Sequence, residues 1–320
     1  MESRNGLHIA WVDAADARDG AWRGLLPHHD LDIVRVDEPA PEDRAALAEA
    51  GFIVKPALVN WVADLTGSDE EFTARLPASE RRNLRLGRRC LNDAGLSLSI
   101  RDGLDEERLD AFLTVYDAQV ERMRNGVNYA RRHRDRLLAQ HHEQMTAFAY
   151  DGERMVAGCI LWLRPSQGLL QLRFAAATAP ARRARVLHGI YAAVFRTARE
   201  LGLPTMSLGN DTSAFGHIAQ PGLFRFKCRL GFAPVPAGQI DEKMGGDEAD
   251  LFVDLRRFSD PSLVLGYEAP RFTAQQGRGS LRLTVLSREE NVDLAPYRTR
   301  HVTGIDHRRT GIFRSPHNPR

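Results

Sequence analysis

Apolar and polar positions along this chain fall into short runs whose period changes several times. Leu7–Val12 and Leu31–Val36 are strand-like, and a helical pattern around Glu42–Ala50 follows them. Gly51–Leu65 reads as β-rich but is interrupted at Pro56, which has no N–H to give to a ladder. Glu70–Arg75 and Ser79–Ala94 carry helical spacing, and Gly95 is a stop signal. A regular series then begins with a strand at Leu96–Arg101 and helices at Glu106–Arg122 and Arg131–Gln144. Ala147–Tyr150, a turn at Asp151-Gly152 and Met155–Leu163 make a hairpin. Gly168–Ala177 is apolar enough for a central strand. Arg182–Leu201 is amphipathic, with Leu187, Ile190, Tyr191, Val194, Phe195, Ala198 and Leu201 on one face. A short strand at 205–208 breaks at Gly209 into a polar loop; an irregular segment and a last strand around Phe232 follow. Beyond Ser259 the pattern weakens to one strand candidate, Leu281–Leu286, and the basic stretch 300–320 reads as mobile. No internal repeat is visible.

The 320 residues, 43% of them apolar, suffice for one large core or two smaller ones. A formal net charge of +2 imposes no nucleic-acid partner, so local patches must make that case. LHIAWVDAAD is cut by Asp13 and Asp16 and does not read as a leader, and no apolar run approaches a membrane span. Cys90, Cys159 and Cys228 are far apart, which suggests neither a disulfide framework nor a zinc site and points to the cytoplasm. No metal and no tightly bound cofactor are expected. Cys228, next to Lys227, is a candidate low-pKa thiol without a sequence partner to make it a nucleophile.

The basic residues are uneven. Of 44, only Lys55, Lys227 and Lys243 are lysines, so arginine is the default cation here. Lys227 stands in Phe224-Arg225-Phe226-Lys227-Cys228-Arg229-Leu230-Gly231-Phe232, where a compact ammonium reads as a specific choice; the plain alternative is a surface lysine beside an edge strand. In the helix at 79–94, Arg81, Arg82, Arg85, Arg88 and Arg89 fall within roughly a 120° arc. Such a face, with no acids between, repels itself unless an anion lies nearby, a nucleic-acid backbone first, with a phosphorylated substrate or an anionic membrane surface as rivals. The plain alternative is a solvated face. RRHRDR (Arg131–Arg136) is diluted by Asp135 and Glu143.

The element order, together with AAATAPARRARVLHGIYAAVFRTARELGLPTMSLGNDT, GLFRFKCRLGFAP and RLPASERRNLRLGRRCLNDAGLSLSI, resembles the Fem-like branch of the GNAT acyltransferases over roughly residues 75–236. The resemblance implies an α/β (α+β) GNAT fold, a mixed and mostly antiparallel sheet flanked by helices, with a V-shaped split beside strand 168–177. Residues 1–94 then read as an N-terminal region, a degenerate half of a duplicated fold. Residues 95–259 become the catalytic domain, and 260–320 a C-terminal extension with a basic tail.

The implied activity is transfer of an acyl or aminoacyl group to a small-molecule or peptide amine. The donor is aminoacyl-tRNA or acyl-CoA, with the first favoured. The loop Thr178–Arg185 lacks the glycines that let backbone N–H groups approach a CoA pyrophosphate, although Arg182, Arg183 and Arg185 offer guanidinium contacts to phosphate. With the tRNA donor, Arg81, Arg85 and Arg88 become phosphate contacts. The facing parts of 168–177 and 205–209 are expected to hold the acyl carbonyl. By the resemblance, the aromatic-Lys pair Phe226-Lys227 contributes to transfer, and Lys227 is the candidate for charge stabilisation, either at the oxyanion or at the donor's terminal phosphate or ribose. His217 suits a base by residue type, but a lone loop histidine is more often simply exposed. Asp211 fits a base, an N-cap or a turn residue equally well. A non-catalytic RNA- or anionic-surface-binding module is the reading from another class.

Overall fold

The computed structural model describes residues 2–26, 30–93, 95–123, 126–269 and 281–310. In chain order they begin with β1 (Glu2–Arg4), β2 (Leu7–Trp11), α1 (Ala14–Asp19), β3 (Ile33–Asp37), α2 (Arg44–Glu49), β4 (Ile53–Pro56) and β5 (Leu58–Asp64). Next are α3 (Asp69–Ala74), α4 (Ala78–Asp93), β6 (Ser97–Asp102), α5 (Glu106–Val120), α6 (Tyr129–Arg132), α7 (Arg134–Ala139), β7 (Gln144–Asp151), β8 (Arg154–Arg164) and β9 (Leu169–Ala177). Then come α8 (Ala179–Arg183), α9 (Val186–Glu200), β10 (Thr205–Thr212), β11 (Ala214–Phe215), α10 (Pro221–Arg229) and β12 (Ala233–Pro236). The series closes with β13 (Asp247–Phe252), β14 (Ser262–Tyr267), β15 (Leu281–Ser287) and β16 (Ile305–Arg309). This is a mixed α/β protein, as expected. It divides into two compact units, one of residues 1–61, 210–228 and 233–320, the other of 62–209 and 229–232.

In the second unit β6, β7, β8 and β9 are antiparallel neighbours in that order, and β10 joins β9 in parallel. The parallel ladder is brief, with Thr205–Ser207 opposite Leu169–Gln171. Beyond it β9 runs on to Ala177 with no further ladder to β10 among the described residues. At the same level the register between β8 and β9 shifts. Ile160 faces Phe174 and Leu161 faces Leu172, so Arg173 is the extra residue of a bulge, which bends and twists the strand. The expected neighbours 168–177 and 205–208 are therefore paired, and the sheet opens beside them.

Helix α5 starts where the Asp105 side chain accepts from the Arg108 N–H, with Glu106 and Glu107 favoured by the helix dipole. Its Leu109, Phe112 and Leu113 pack with Phe148, Ile160 and Ala176 of the sheet. Helix α9 packs on the sheet and also crosses α4. At that crossing Gly87 meets Gly189: a methyl group on Gly87 would run into the Gly189 nitrogen and lie 2.6 Å from the Arg185 carbonyl oxygen. Only glycine lets the two backbones come this close.

The first unit holds a five-stranded sheet, β1-β2-β3-β13-β4, and a four-stranded one, β11-β14-β15-β16. Ile9, Ile33, Ile53 and Phe252 of the former share a core with Val264 and Leu286 of the latter.

The structure differs from the sequence pattern in four places. The expected helix at 182–201 is two helices, broken at Arg185, whose φ of 63° is left-handed, a conformation that costs a non-glycine residue roughly 1–2 kcal/mol. The expected helix at 131–144 ends at Ala139, and Gln144 already belongs to β7. The irregular segment before Gly231 is helix α10; its aromatic-basic alternation imitates a strand's period of two. Finally, β13, β14 and β16 did not stand out in the sequence. Strand β14 is buried at every position and so shows no alternation, while β13 carries three carboxylates and looks polar. Residues 311–320 of the tail expected to be mobile lie outside the described residues.

Candidate functional site

Helix α10 opens with Pro221, suited to a first helical turn, and buries Phe224, Lys227 and Cys228, spaced as one face. Lys227 is thus on the apolar side of a helix, only 6% exposed, and is not a surface lysine. Its Nζ donates to Asp211 Oδ2 at 2.7 Å and lies 5.6 Å from the centre of the Trp61 ring. Asp211 reaches it because β10 continues through Thr212, where a turn was one of the readings. Burial pushes the ammonium below its ordinary value, and the Asp211 charge and hydrogen bond oppose that shift.

Trp61 is fully buried, with Phe224 at 5.6 Å and Phe215 at 6.2 Å edge-on to it. Its Nε1 has no hydrogen-bond partner among the described residues. The preceding residue, Asn60, donates to Asn210 Oδ1 at 2.6 Å, one position before Asp211. Neither Asn60 nor Trp61 was a sequence candidate. The signal available was an Asn-Trp pair inside an otherwise apolar strand.

This arrangement holds the Lys227 ammonium against the Asp211 carboxylate and an aromatic face in a largely dry setting. Such a cation is suited to stabilising negative charge as it develops. It does not supply a thiol nucleophile: burial pushes Cys228 up to about 12, against a smaller lowering by Thr299, so Cys228 is not the low-pKa thiol that its neighbour Lys227 suggests. Phe226 is half-buried on the same helix. His217 stands elsewhere, its Nδ1 3.0 Å from the Arg257 carbonyl oxygen and its Nε2 2.8 Å from that of Asn5, with Phe258 against the ring. Both ring nitrogens face main-chain oxygens, which suits an anchored ring better than a base. Among the described residues no cluster of three or more His, Cys, Asp or Glu side chains could hold a metal.

The second unit carries the arginine candidates. Leu84, Gly87 and Leu91 of α4 are buried and the arginines lie on the other side, as the spacing indicated. Two of them are already engaged: Arg81 donates to the Leu76 carbonyl at 2.7 Å, and Arg88 to Asp69 at 2.9 Å. Arg199 also ion-pairs with Asp69. An acid from α3 therefore relieves part of the repulsion that the isolated helix would have. Arg85 is exposed. Arg81 and Arg88 line a cleft of about 550 Å³ with Asp69, Glu70, Thr73 and Ala74.

At the start of the α8–α9 segment, Arg182 donates to Gln119 Oε1 at 2.8 Å and to the Ala177 carbonyl at 3.3 Å. Arg183 is exposed, and Arg185 donates to Asn83 Oδ1 at 2.7 Å. The loop arginines thus do not converge on one point; two of the three tie down neighbouring structure.

No family model matches this chain, and no match among curated proteins was found. Solved structures similar to it include FemX, at 13% identity and a TM-score of 0.48 over 77% of this chain and 80% of that one. The C-terminal domain of a putative lysylphosphatidylglycerol synthetase from Agrobacterium fabrum is similar at 15% identity and 0.40, covering 75% and 76%. An aminoglycoside acetyltransferase from an uncultured soil metagenomic sample is similar at 16% identity and 0.29, covering 35% and 74%.

Proposed function

We propose that the chain is an acyltransferase that moves an acyl or aminoacyl group onto an amine, forming an amide. The observation that carries this reading is the Lys227–Asp211 pair. In a chain that uses arginine almost everywhere, a lysine is buried on an apolar helix face with the Asp211 carboxylate 2.7 Å away. When an amine attacks an ester or thioester, the carbonyl oxygen gains negative charge, the acyl C–O or C–S bond then breaks, and the proton lost by the amine ends on the departing alcohol or thiol. A desolvated ammonium stabilises the first, and its attraction is stronger there than in water. Asp211 holds and orients that ammonium and is not itself the base.

Aminoacyl-tRNA is the favoured donor. Arg81, Arg85 and Arg88 support it as phosphate contacts, and the loop 178–185 offers no glycine to a CoA pyrophosphate. The acceptor is a small-molecule or peptide amine, and a reducing cytoplasm suits both donor and free cysteines. The test is a donor screen of the purified protein with labelled aminoacyl-tRNAs and acyl-CoAs. Donor-specific deacylation that depends on an added amine and is lost in Lys227→Met supports the reading. Absence of transfer from every donor in both classes overturns it. Replacing Arg81, Arg85 and Arg88 together by Gln should weaken tRNA binding and flatten its salt dependence, and an unchanged salt slope returns acyl-CoA to first place.

A further inference from the structure

An open strand edge is a template for any extended chain that carries amides. Strand β9 has such an edge beyond Gln171, where its ladder with β10 ends. Which main-chain groups point that way follows from the pairing with β8. The Thr178 N–H donates to the Val156 carbonyl, so residues of the opposite parity, Ala175 and Ala177, turn theirs away from β8.

Those groups are occupied. Gln119, from the last turn of α5, donates its Nε2 to the Ala175 carbonyl at 3.2 Å, and its Oε1 accepts from the Ala177 N–H at 3.2 Å. Donating to residue i−1 and accepting from residue i+1 is what one residue of a parallel neighbouring strand does, here opposite Ala176. Arg182 holds the same Oε1 at 2.8 Å and bonds the Ala177 carbonyl at 3.3 Å. One side-chain amide therefore stands in for the missing strand, fixed by a guanidinium.

We infer that Gln119 is a specificity-determining residue that closes the β9 edge to extended amide-bearing chains, such as the pantetheine arm of an acyl-CoA. The edge itself stands on geometry alone; only the identity of the excluded chain as a donor arm rests on the acyl-transfer reading.

Two variants test it. Gln119→Met keeps the bulk and removes the amide, so the Ala177 N–H should exchange with solvent about tenfold faster or more, the worth of one hydrogen bond. Unchanged exchange at Ala177 overturns the closure. Gln119→Ala opens the edge, and acetyl-CoA titrated into it should bind about tenfold tighter or better than into the wild type. Equal acetyl-CoA affinity in the two, or saturable binding by the wild type with Ala177 still protected, overturns the specificity role. The exchange measurement needs no donor, so it separates the two failures: inactivity with every donor defeats the acyl-transfer reading while leaving Ala177 exchange as expected.

Discussion

Lys55 and Lys227 are both buried and both lie in the first unit, yet the groups that hold them differ in kind. Lys55 bridges Glu248 and Asp250, and Arg35 bonds the same two carboxylates, at 2.6 Å to Glu248 and at 2.6 and 2.7 Å to Asp250. Strand register makes this network: β13 lies between β3 and β4, placing Asp250 opposite Arg35 and Glu248 opposite Lys55. Two cations meet two anions, and every charge has at least two contacts within the set. Lys227 has Asp211 and the face of Trp61. The rarity of lysine in the sequence marks both positions alike. One lysine belongs to a carboxylate network that a second cation shares, the other to a carboxylate and an aromatic face on a helix.

The largest expected effect tests the structural side. Lys55→Met or Asp250→Ala leaves buried charge uncompensated and should lower stability by about 3–5 kcal/mol in denaturant unfolding. Turnover per folded molecule of Lys55→Met should remain at the wild-type value. Wild-type stability in Lys55→Met would erase the contrast.

Next, Lys227→Met should cost on the order of 10²-fold in turnover at saturating donor, because one stabiliser of developing charge is gone. Lys227→Arg should rescue poorly, since a planar guanidinium does not fit where an ammonium packs over Trp61. Rescue by arginine, with methionine mainly weakening donor binding, would make Lys227 a phosphate contact.

A smaller effect should follow Asp211→Asn. The carboxylate opposes the downward shift that burial imposes on Lys227, so removing it lowers the lysine further. The alkaline limb of the rate profile, where the charged lysine is lost, should move to lower pH. A limb that stays in place would detach Lys227 from the profile.

The smallest effect is in stability against pH. The folded value of Lys227 lies below its ordinary 10.5, so between the two the unfolded chain binds more protons and stability rises with pH. That rise should be absent from Lys227→Met. At Asp250, burial pushes the carboxyl up, but Lys55 and Arg35 outweigh it and hold it below 3.8. Its stabilisation is present above 3.8 and lost as pH falls through the folded value, a loss absent from Asp250→Asn.

The second unit was largely legible in the sequence because its elements have clean periods and strong punctuation: Gly95 and Asp151-Gly152 stand where elements end, and Ile190, Tyr191, Val194, Phe195 and Ala198 of the expected stripe are buried, whereas Leu187 is half-buried and Leu201 is exposed. The first unit was less so. Asp247–Phe252 hides a central strand because its acids are matched by Arg35 and Lys55, which come from more than 190 positions away in sequence. Lys227 could be picked out by its residue type, but the helix that buries it, and Trp61 beneath it, could not. Sequence alone makes Arg182 a candidate ligand contact, because it shows a cation at a helix start but not Gln119, 63 positions earlier, which claims it.

The glycine contact between α4 and α9 sets how the arginine face can move. With Gly87 seated against Gly189, α4 has little freedom to roll about its axis, so Arg81, Arg82, Arg85, Arg88 and Arg89 share one rotational setting. A ligand meeting that face encounters a row of charges whose main-chain attachment points are spaced by the helix pitch, with Arg81 and Arg88 further held by Leu76 and Asp69. A methyl group at position 87 would turn the whole row at once, changing the direction in which the charge points while leaving its amount intact.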